Sequence, residues 1–293
     1  IFCEKEIATI DDFVFKNWQE KLFFERLERK SIPIQKILQE TENDWETALF
    51  CLLAKSFGLN TNGEIFFKIA QSIPFSIIRK ESFEVENLEA LFFGRSGLLD
   101  ADNEDSYFKD LKFRYGYAIT KYKLRQVYVD PIQFFKHRPD NFPTIRLSQL
   151  AHLYHISKNL FSSIINAQAL PEFYAIFNVE VSEYWKTHYQ FDKISPKKKK
   201  ALTASFVDLL LINTIIPIKF AYAQSQGKDI SEELIALLES IPAEKNVIIE
   251  KYSDFGIKAK NAFETQALLQ LKNEYCNQKR CLECGIGLEL MKS

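Results

Sequence analysis

The stretch DDFVFKNWQEKLFFERLERK (residues 11–30) places the apolar residues Phe13, Val14, Trp18, Leu22, Phe23 and Leu27 three and four positions apart. That period draws one apolar stripe along an α-helix and does not suit a strand, whose faces alternate every second residue. Asp11 and Asp12 stand in the first turn, where the helix dipole favours negative charge. A helix over 11–30 is predicted. The period recurs outward from it. Asn43 or Asp44 caps a helix that runs through Trp45, Leu49, Leu52, Leu53 and Phe57 to a stop at Gly58, with Cys51 on its apolar side. Helical patterns follow over 62–73, 85–93 and 106–122, with short polar links and no alternating runs. Beyond them, Thr144 starts a helix with Ile145, Leu147, Leu150, Leu153 and Ile156 inward, and a short helix carries Trp185, His188 and Tyr189. Ser195 and Pro196 open a long core helix, patterns over 229–241 and 246–255 follow, and a last helix from Asn261 delivers Tyr275 and Cys276. The expected fold is all-α, a multi-helix, bundle-like globular architecture ending in a cysteine cluster. It is read as one helical domain over 1–293, with two lobes meeting near 128–143, where Pro131, Pro139 and Pro143 force a shaped loop.

Composition supports this reading. The 293 residues are 46% hydrophobic, enough for a large core and incompatible with a disordered chain. Nine glycines and nine prolines against 26 phenylalanines mean few helix breakers and many large anchors, so long helices with aromatic seams are expected. The net charge of −1 conceals an uneven distribution: residues 109–158 hold ten Lys or Arg against three Asp or Glu. Such an excess points to an anionic partner or to a solvated face. Five cysteines, three of them within residues 276–284, do not make the even framework of a secreted disulfide scaffold, and a reducing, cytoplasmic setting is expected. The first residues lack the basic, apolar, small-residue order of a secretory leader, so none is expected. The most apolar run, 202–223, contains Asp208, Asn213, Pro217 and Lys219 and is expected to be a buried core helix, not a membrane span.

Cys276, Cys281 and Cys284 form C-x4-C-x2-C, whose two-residue gap lets two thiolates turn onto one ion while the first arrives from a helix end. Three ligands leave one to find, and Cys3, with no other evident role, would complete a clasp between the two ends of the chain. Four thiolates suit zinc or an iron–sulfur cluster equally, in a structural or redox role; the alternative is free thiols. Arg138, Asn141, Thr144 and Arg146 surround the proline loop near a helix start, where they either bind phosphate oxygens of DNA or RNA or fix the loop through backbone carbonyls. Tyr115, Tyr117, Tyr122 and Tyr128 could stack on bases, although aromatic residues at helical spacing more often fill a core. Lys197 and Lys198 belong to a run of four lysines at the expected helix start, where positive charge opposes the dipole; they contact a polyanion or are solvated. Trp185, His188 and Tyr189 are candidate ligand contacts or an interface filling, with His188 read as structural. His152 and His155 share a helical face but lack a third metal ligand. No P-loop, dinucleotide fingerprint, nucleophile elbow or H-E-x-x-H pair occurs, so the chain offers no catalytic motif.

The stretches ERLERK (25–30), NDWE (43–46), FFGRSGLL (92–99), RPDNFPTIRLSQLA (138–151), EYWKTHY (183–189), INTIIP (212–217), GIKAKNAF (256–263) and LQLKNEYCNQKRCLECGIG (269–287) together resemble an uncharacterised bacterial family, domain-of-unknown-function family 2851, over essentially the whole chain. Longer members resemble a restriction-endonuclease-like nuclease at their N-terminus. The resemblance implies that this chain corresponds to the helical C-terminal part. Its partner would be that nuclease-like domain, where any metal-dependent carboxylates and any nuclease activity would lie. A further likeness is to iron-staple nucleases, in which one cysteine before and three after a catalytic core hold a four-iron cluster. Cys3 with Cys276, Cys281 and Cys284 is similar to that arrangement, with a different spacing in the triplet. The expectation is a helical nucleic-acid-binding module with a metal or iron–sulfur clasp, and the alternative is a structural, protein-interaction domain. No membrane role is expected.

Overall fold

Helices start where a side chain takes up the orphan N–H groups of a first turn. In a computed structural model of the chain, which describes residues 3–292, Asp44 accepts from the backbone of Glu46 and Thr47, Asp105 from Tyr107 and Phe108, and Thr203 from Phe206. Asn246 accepts from Ile248 and Ile249, and Asn261 from Glu264. The helices are α1 (Asp12–Glu40), α2 (Trp45–Phe57), α3 (Leu59–Gln71), α4 (Phe75–Glu81), α5 (Val85–Arg95), α6 (Ser106–Tyr122), α7 (Pro143–Ile156) and α8 (Leu160–Asn166). They continue with α9 (Leu170–Ile176), α10 (Glu183–Lys186), α11 (Ala204–Leu210), α12 (Ile216–Ser225), α13 (Ser231–Glu239), α14 (Val247–Asp254), α15 (Ala262–Gln270) and α16 (Gly285–Leu290). Among the described residues the strands are β1 (His188–Gln190) and β2 (Lys193–Ile194), one antiparallel pair. The architecture is all-α.

Three boundaries differ from the sequence expectation, each for a physical reason. First, α1 continues through Pro33 to Glu40 because Ile34, Ile37 and Leu38 prolong the buried stripe while Pro33 faces water. Second, His188 and Tyr189 lie on β1, not on a helix. The buried Lys200 ammonium donates to the carbonyls of Trp185 and His188, and the Ser195 N–H donates to Thr187, which draws this segment out of helical geometry. Third, the long core helix begins after Thr203, not at Ser195 and Pro196. Lys198 and Leu202 donate to the carbonyls of Lys186 and Val179 instead. The lysine run is therefore extended, and the expected conflict with a helix dipole does not arise.

The chain divides into two compact units, 37–215 and the pair 1–36 with 216–293. The proline-rich 128–143 lies inside the first of these, not at the division. In the 37–215 unit, Phe50 of α2 meets Phe92 of α5 and Tyr154 of α7 with centroids 5.8 and 5.2 Å away. Phe93 stacks on Trp185 at 5.1 Å. These are the expected aromatic seams. In the other unit, Ile7, Trp18, Leu22, Tyr252, Leu268, Leu271, Tyr275 and Ile286 form one core, with Trp18 edge-on to Tyr275 at 5.4 Å. The continuous helix Ala204–Ser225 is long and apolar enough to cross a membrane by composition, but 72% of its most apolar window is buried within the protein. It is a core helix.

Candidate metal centre and basic segment

The 1–36 and 216–293 unit brings the four predicted cysteines to one place. Cys3 sits in a turn whose carbonyl accepts from Glu6 and Ile7. Cys276 ends the π-type turn Leu271–Cys276 that extends α15, and Cys281 opens a 3-10 turn leading to Cys284 at the start of α16. All four line a cavity of about 180 Å³, walled by Leu271, Tyr275, Ile286 and Leu290. Two glycines make the tight chain path there necessary. A Cβ on Gly287 would stand 2.3 Å from the Cys281 carbonyl oxygen, and one on Gly285 would stand 2.6 Å from the Trp18 ring. The cysteines are free.

Hydrogen-bond donors surround these sulfurs. The backbone N–H groups of Gly287 and Ile286 favour the thiolate of Cys284. The Tyr252 hydroxyl stands 4.0 Å from Cys276 Sγ. The Trp18 indole N–H is buried without a hydrogen-bond partner, yet it lies near enough to Cys284 to favour its thiolate without closing a full hydrogen bond. Against these donors, burial and then the neighbouring Cys276 and Cys284 push the Cys3 thiol up to about 11. Burial likewise raises Cys276 and Cys284. Thiols held up by burial and by neighbouring cysteines, as at Cys3, Cys276 and Cys284, are what a thiophilic cation would relieve. As placed, no group of three or more His, Cys, Asp or Glu among the described residues could hold a metal ion. The donor set fits zinc or an iron–sulfur cluster in chemistry, and loading it would draw the sulfurs closer together.

The part of the basic excess of 109–158 that lies on α6 up to Lys121 is cancelled in space, whereas the cations after it are not. Lys109 pairs with Glu104, Lys112 with Asp102, Arg114 with Glu84 and Asp110, and Lys121 with Glu81. Most of these carboxylates lie outside the stretch, so a sequence window could not count them. Arg146 is buried, with its guanidinium 3.7 Å over Phe206 and bonded to Asn141 and Gln149. Burial lowers it to about 10. Thr144 donates to the Tyr189 carbonyl, Lys198 pairs with Asp140 at 2.6 Å, and Lys197 stands 3.9 Å from Glu183. Arg138, Lys123, Arg125 and Lys136 are exposed, with no carboxylate partner among the described residues. The extended chain that carries them is pinned: Asn62 exchanges two 2.8 Å hydrogen bonds with the Gln133 backbone, Lys68 pairs with Asp130, and Arg95 donates to the Arg125 carbonyl. Exposed aromatics are interleaved with these cations, Tyr117 at 62%, Tyr128 at 84% and Phe135 at 74%. Tyr115 is half-buried against Gly94, and Tyr122 donates to Glu81.

Trp185, His188 and Tyr189 are engaged within the protein. Trp185 is fully buried and donates to Glu89, His188 lies flat on Tyr184 at 4.0 Å, and Tyr189 donates to Asp140. His155 bonds the Ser82 carbonyl, and burial lowers His152. Sequence reasoning missed Glu89. Fully buried on α5, it accepts from Ser148 at 2.6 Å, from Trp185 at 3.1 Å and from Tyr107. Its signal was a carboxylate inside the apolar run LEALFF (88–93). FFGRSGLL, RPDNFPTIRLSQLA and EYWKTHY are neighbours here: Phe93 stacks on Trp185, and Ser148 and Trp185 share one carboxylate.

The family described as "Protein of unknown function (DUF2851)" matches residues 1–247. The chain belongs to this family. The match ends before the stretches at 256–263 and 269–287, so it is shorter than the whole-chain resemblance, and membership in DUF2851 does not bear on the cysteine triplet. No curated protein and no solved structure matches the chain.

Proposed function

We propose that this chain is a helical single-strand nucleic-acid-binding module whose two ends are clasped by a four-thiolate metal centre. The binding surface is the pinned segment 117–138. The observation that carries this reading is the interleaving of exposed Tyr117, Tyr128 and Phe135 with the carboxylate-free cations Lys123, Arg125, Lys136 and Arg138. Aromatic faces stack on unpaired bases and cations neutralise phosphates, a combination that binds single strands with little sequence preference. Arg146, Thr144, Asn141, Lys197 and Lys198 hold the surrounding structure in place. A nuclease-like domain ahead of this one would supply any chemistry.

Fluorescence anisotropy with labelled single-stranded DNA and RNA tests the surface. Affinity falls steeply as salt rises because phosphate neutralisation releases counterions. Tyr128→Ala costs about 1–3 kcal/mol of binding if that ring stacks on a base. Binding that ignores salt, or no binding, overturns the assignment. The clasp is tested by metal and sulfide analysis of anaerobically purified protein beside Cys3→Ser and Cys281→Ser. Iron with sulfide, or zinc, lost in both variants supports it; a metal-free protein whose thiols all titrate refutes it.

The second reading is a protein-interaction domain, favoured by the same exposed aromatics. Charge reversal at Arg138 and Arg125 that abolishes assembly with a preceding domain while nucleic-acid affinity stays unchanged would select it.

A further inference from the structure

A cavity in the 37–215 unit lies away from the basic segment. It has a volume of about 420 Å³, within the range of small-molecule sites, and is bounded by the start of α2, by α4 and the turn after it, and by the end of α7 with the start of α8. Its wall is aromatic: Phe75, Phe83, Tyr154 and Phe161 line it. Such side chains in a soluble protein normally meet each other and close the gap. Phe75 and Tyr154 do meet, edge to face at 5.8 Å, while Phe83 is left largely exposed. The Tyr154 hydroxyl is buried and makes no hydrogen bond, a cost that a core side chain ordinarily avoids.

The rim is cationic. Lys158 is exposed, lies 4.8 Å over the Phe83 ring and has no carboxylate partner among the described residues. Arg79 lies 5.6 Å over Phe75 and shares its charge with Glu46, which also lines the cavity. A cation held over an aromatic ring at the edge of a concave, mainly apolar site places positive charge where a ligand's anionic group would emerge.

We propose that this cavity binds a small ring-bearing anion, its flat apolar body against Phe75, Tyr154 and Phe161 and its carboxylate or phosphate at Lys158 and Arg79. The site uses no residue of the segment 117–138 and stands or falls separately from nucleic-acid binding. Phosphate on an aromatic nucleoside and carboxylate on an aryl chain are two sources of the same chemistry.

The full chain, isotopically labelled, is titrated with adenosine monophosphate, with 4-phenylbutyrate and with the neutral 4-phenylbutanol, following backbone amide shifts and heats of binding. At least one anion binds with a dissociation constant below about 1 mM. The shifts fall within 75–83 and 154–161, and the alcohol binds at least about fivefold more weakly. Lys158→Glu weakens the anion about tenfold and leaves the unfolding midpoint in place, since Lys158 has no ion pair to lose. Adenosine monophosphate alone identifies a nucleotide site, and 4-phenylbutyrate alone an aryl carboxylate site. No shift with either anion at several millimolar, equal affinity for the alcohol, or shifts that map elsewhere overturns the proposal.

Discussion

The carboxylate of Glu89 and the sulfurs of the cysteine cavity are both buried polar groups, and they differ in how completely the protein satisfies them. Glu89 sits among Ser148, Tyr107 and Trp185, each donating to it, with no cavity beside them among those described. Burial raises its pKa, and these three hydrogen bonds oppose the rise. The cysteines line a cavity, burial raises Cys3, Cys276 and Cys284, and the Trp18 N–H stands without a hydrogen-bond partner. A polar cluster whose valences are filled from within is a structural node; one whose sulfurs line a cavity is left less completely satisfied by the protein itself.

Removing the node tests the first half of that contrast and carries the largest expected effect. Glu89→Ala leaves three buried donors unpaired and a cavity behind, at a cost of about 3–5 kcal/mol in urea unfolding. Glu89→Gln keeps the shape and an acceptor, and Ser148 can reverse its hydroxyl to accept from the amide, so the loss is about 1 kcal/mol. Equal losses for the two variants would mean that shape, not hydrogen bonding, holds this region.

The second half is tested at Gly287. An added methyl meets the Cys281 carbonyl at 2.3 Å, and backbone cannot yield as a flexible side chain can. Gly287→Ala therefore costs about 1–3 kcal/mol in thermal unfolding. It also separates Cys281 from Cys284, so any metal found in the wild type is depleted. A variant with unchanged stability and metal content would show that the C-x2-C turn does not need its close approach.

How much of this was legible in sequence follows the range of the forces involved. Caps and periods act over four residues, so Asp44, the span of α6 and the helix after Asn261 read correctly. The cysteine spacing singled out Cys276, Cys281 and Cys284, Cys3 was nominated because it had no nearer role, and the fold brings the four to one cavity. Contacts between distant segments were not legible. Glu104 and Asp102 neutralise Lys109 and Lys112 from just before the basic stretch, and Glu81 and Glu84 come from further back. Lys200, read as one of four solvated lysines, is the residue that takes the carbonyls of Trp185 and His188 and sets the extended path of β1. The cavity beside α4 had no sequence signal, because it depends on the failure of four aromatic rings to close a gap.

Lys200 supplies the smallest prediction and the one most specific to pH. Its ammonium lies 3.5 Å over the Tyr189 ring, is buried with no carboxylate bonded to it, and is lowered from 10.5 to about 8 by burial first, with Lys198 lowering it further and Asp140 opposing. A group whose folded pKa lies below its unfolded value binds its proton less tightly in the native state. Between about pH 8 and 10.5 the unfolded chain holds that proton and the native protein does not, so the contribution of Lys200 to stability rises with pH through this window. The penalty is felt in full below the window and is absent above it. Lys200→Met removes the titration and also the two donated hydrogen bonds, which lowers stability by a roughly constant amount. The difference in unfolding free energy, wild type minus variant, therefore increases from pH 8 to 10.5. Asp140→Asn removes the opposing carboxylate and moves the lower edge of the window down while its upper edge stays, which separates Lys200 from the cysteines that also titrate there. A difference that stays flat across the window would mean that the two carbonyls and the ring fully compensate the buried charge, and Lys200 would then belong with Glu89 among the satisfied groups.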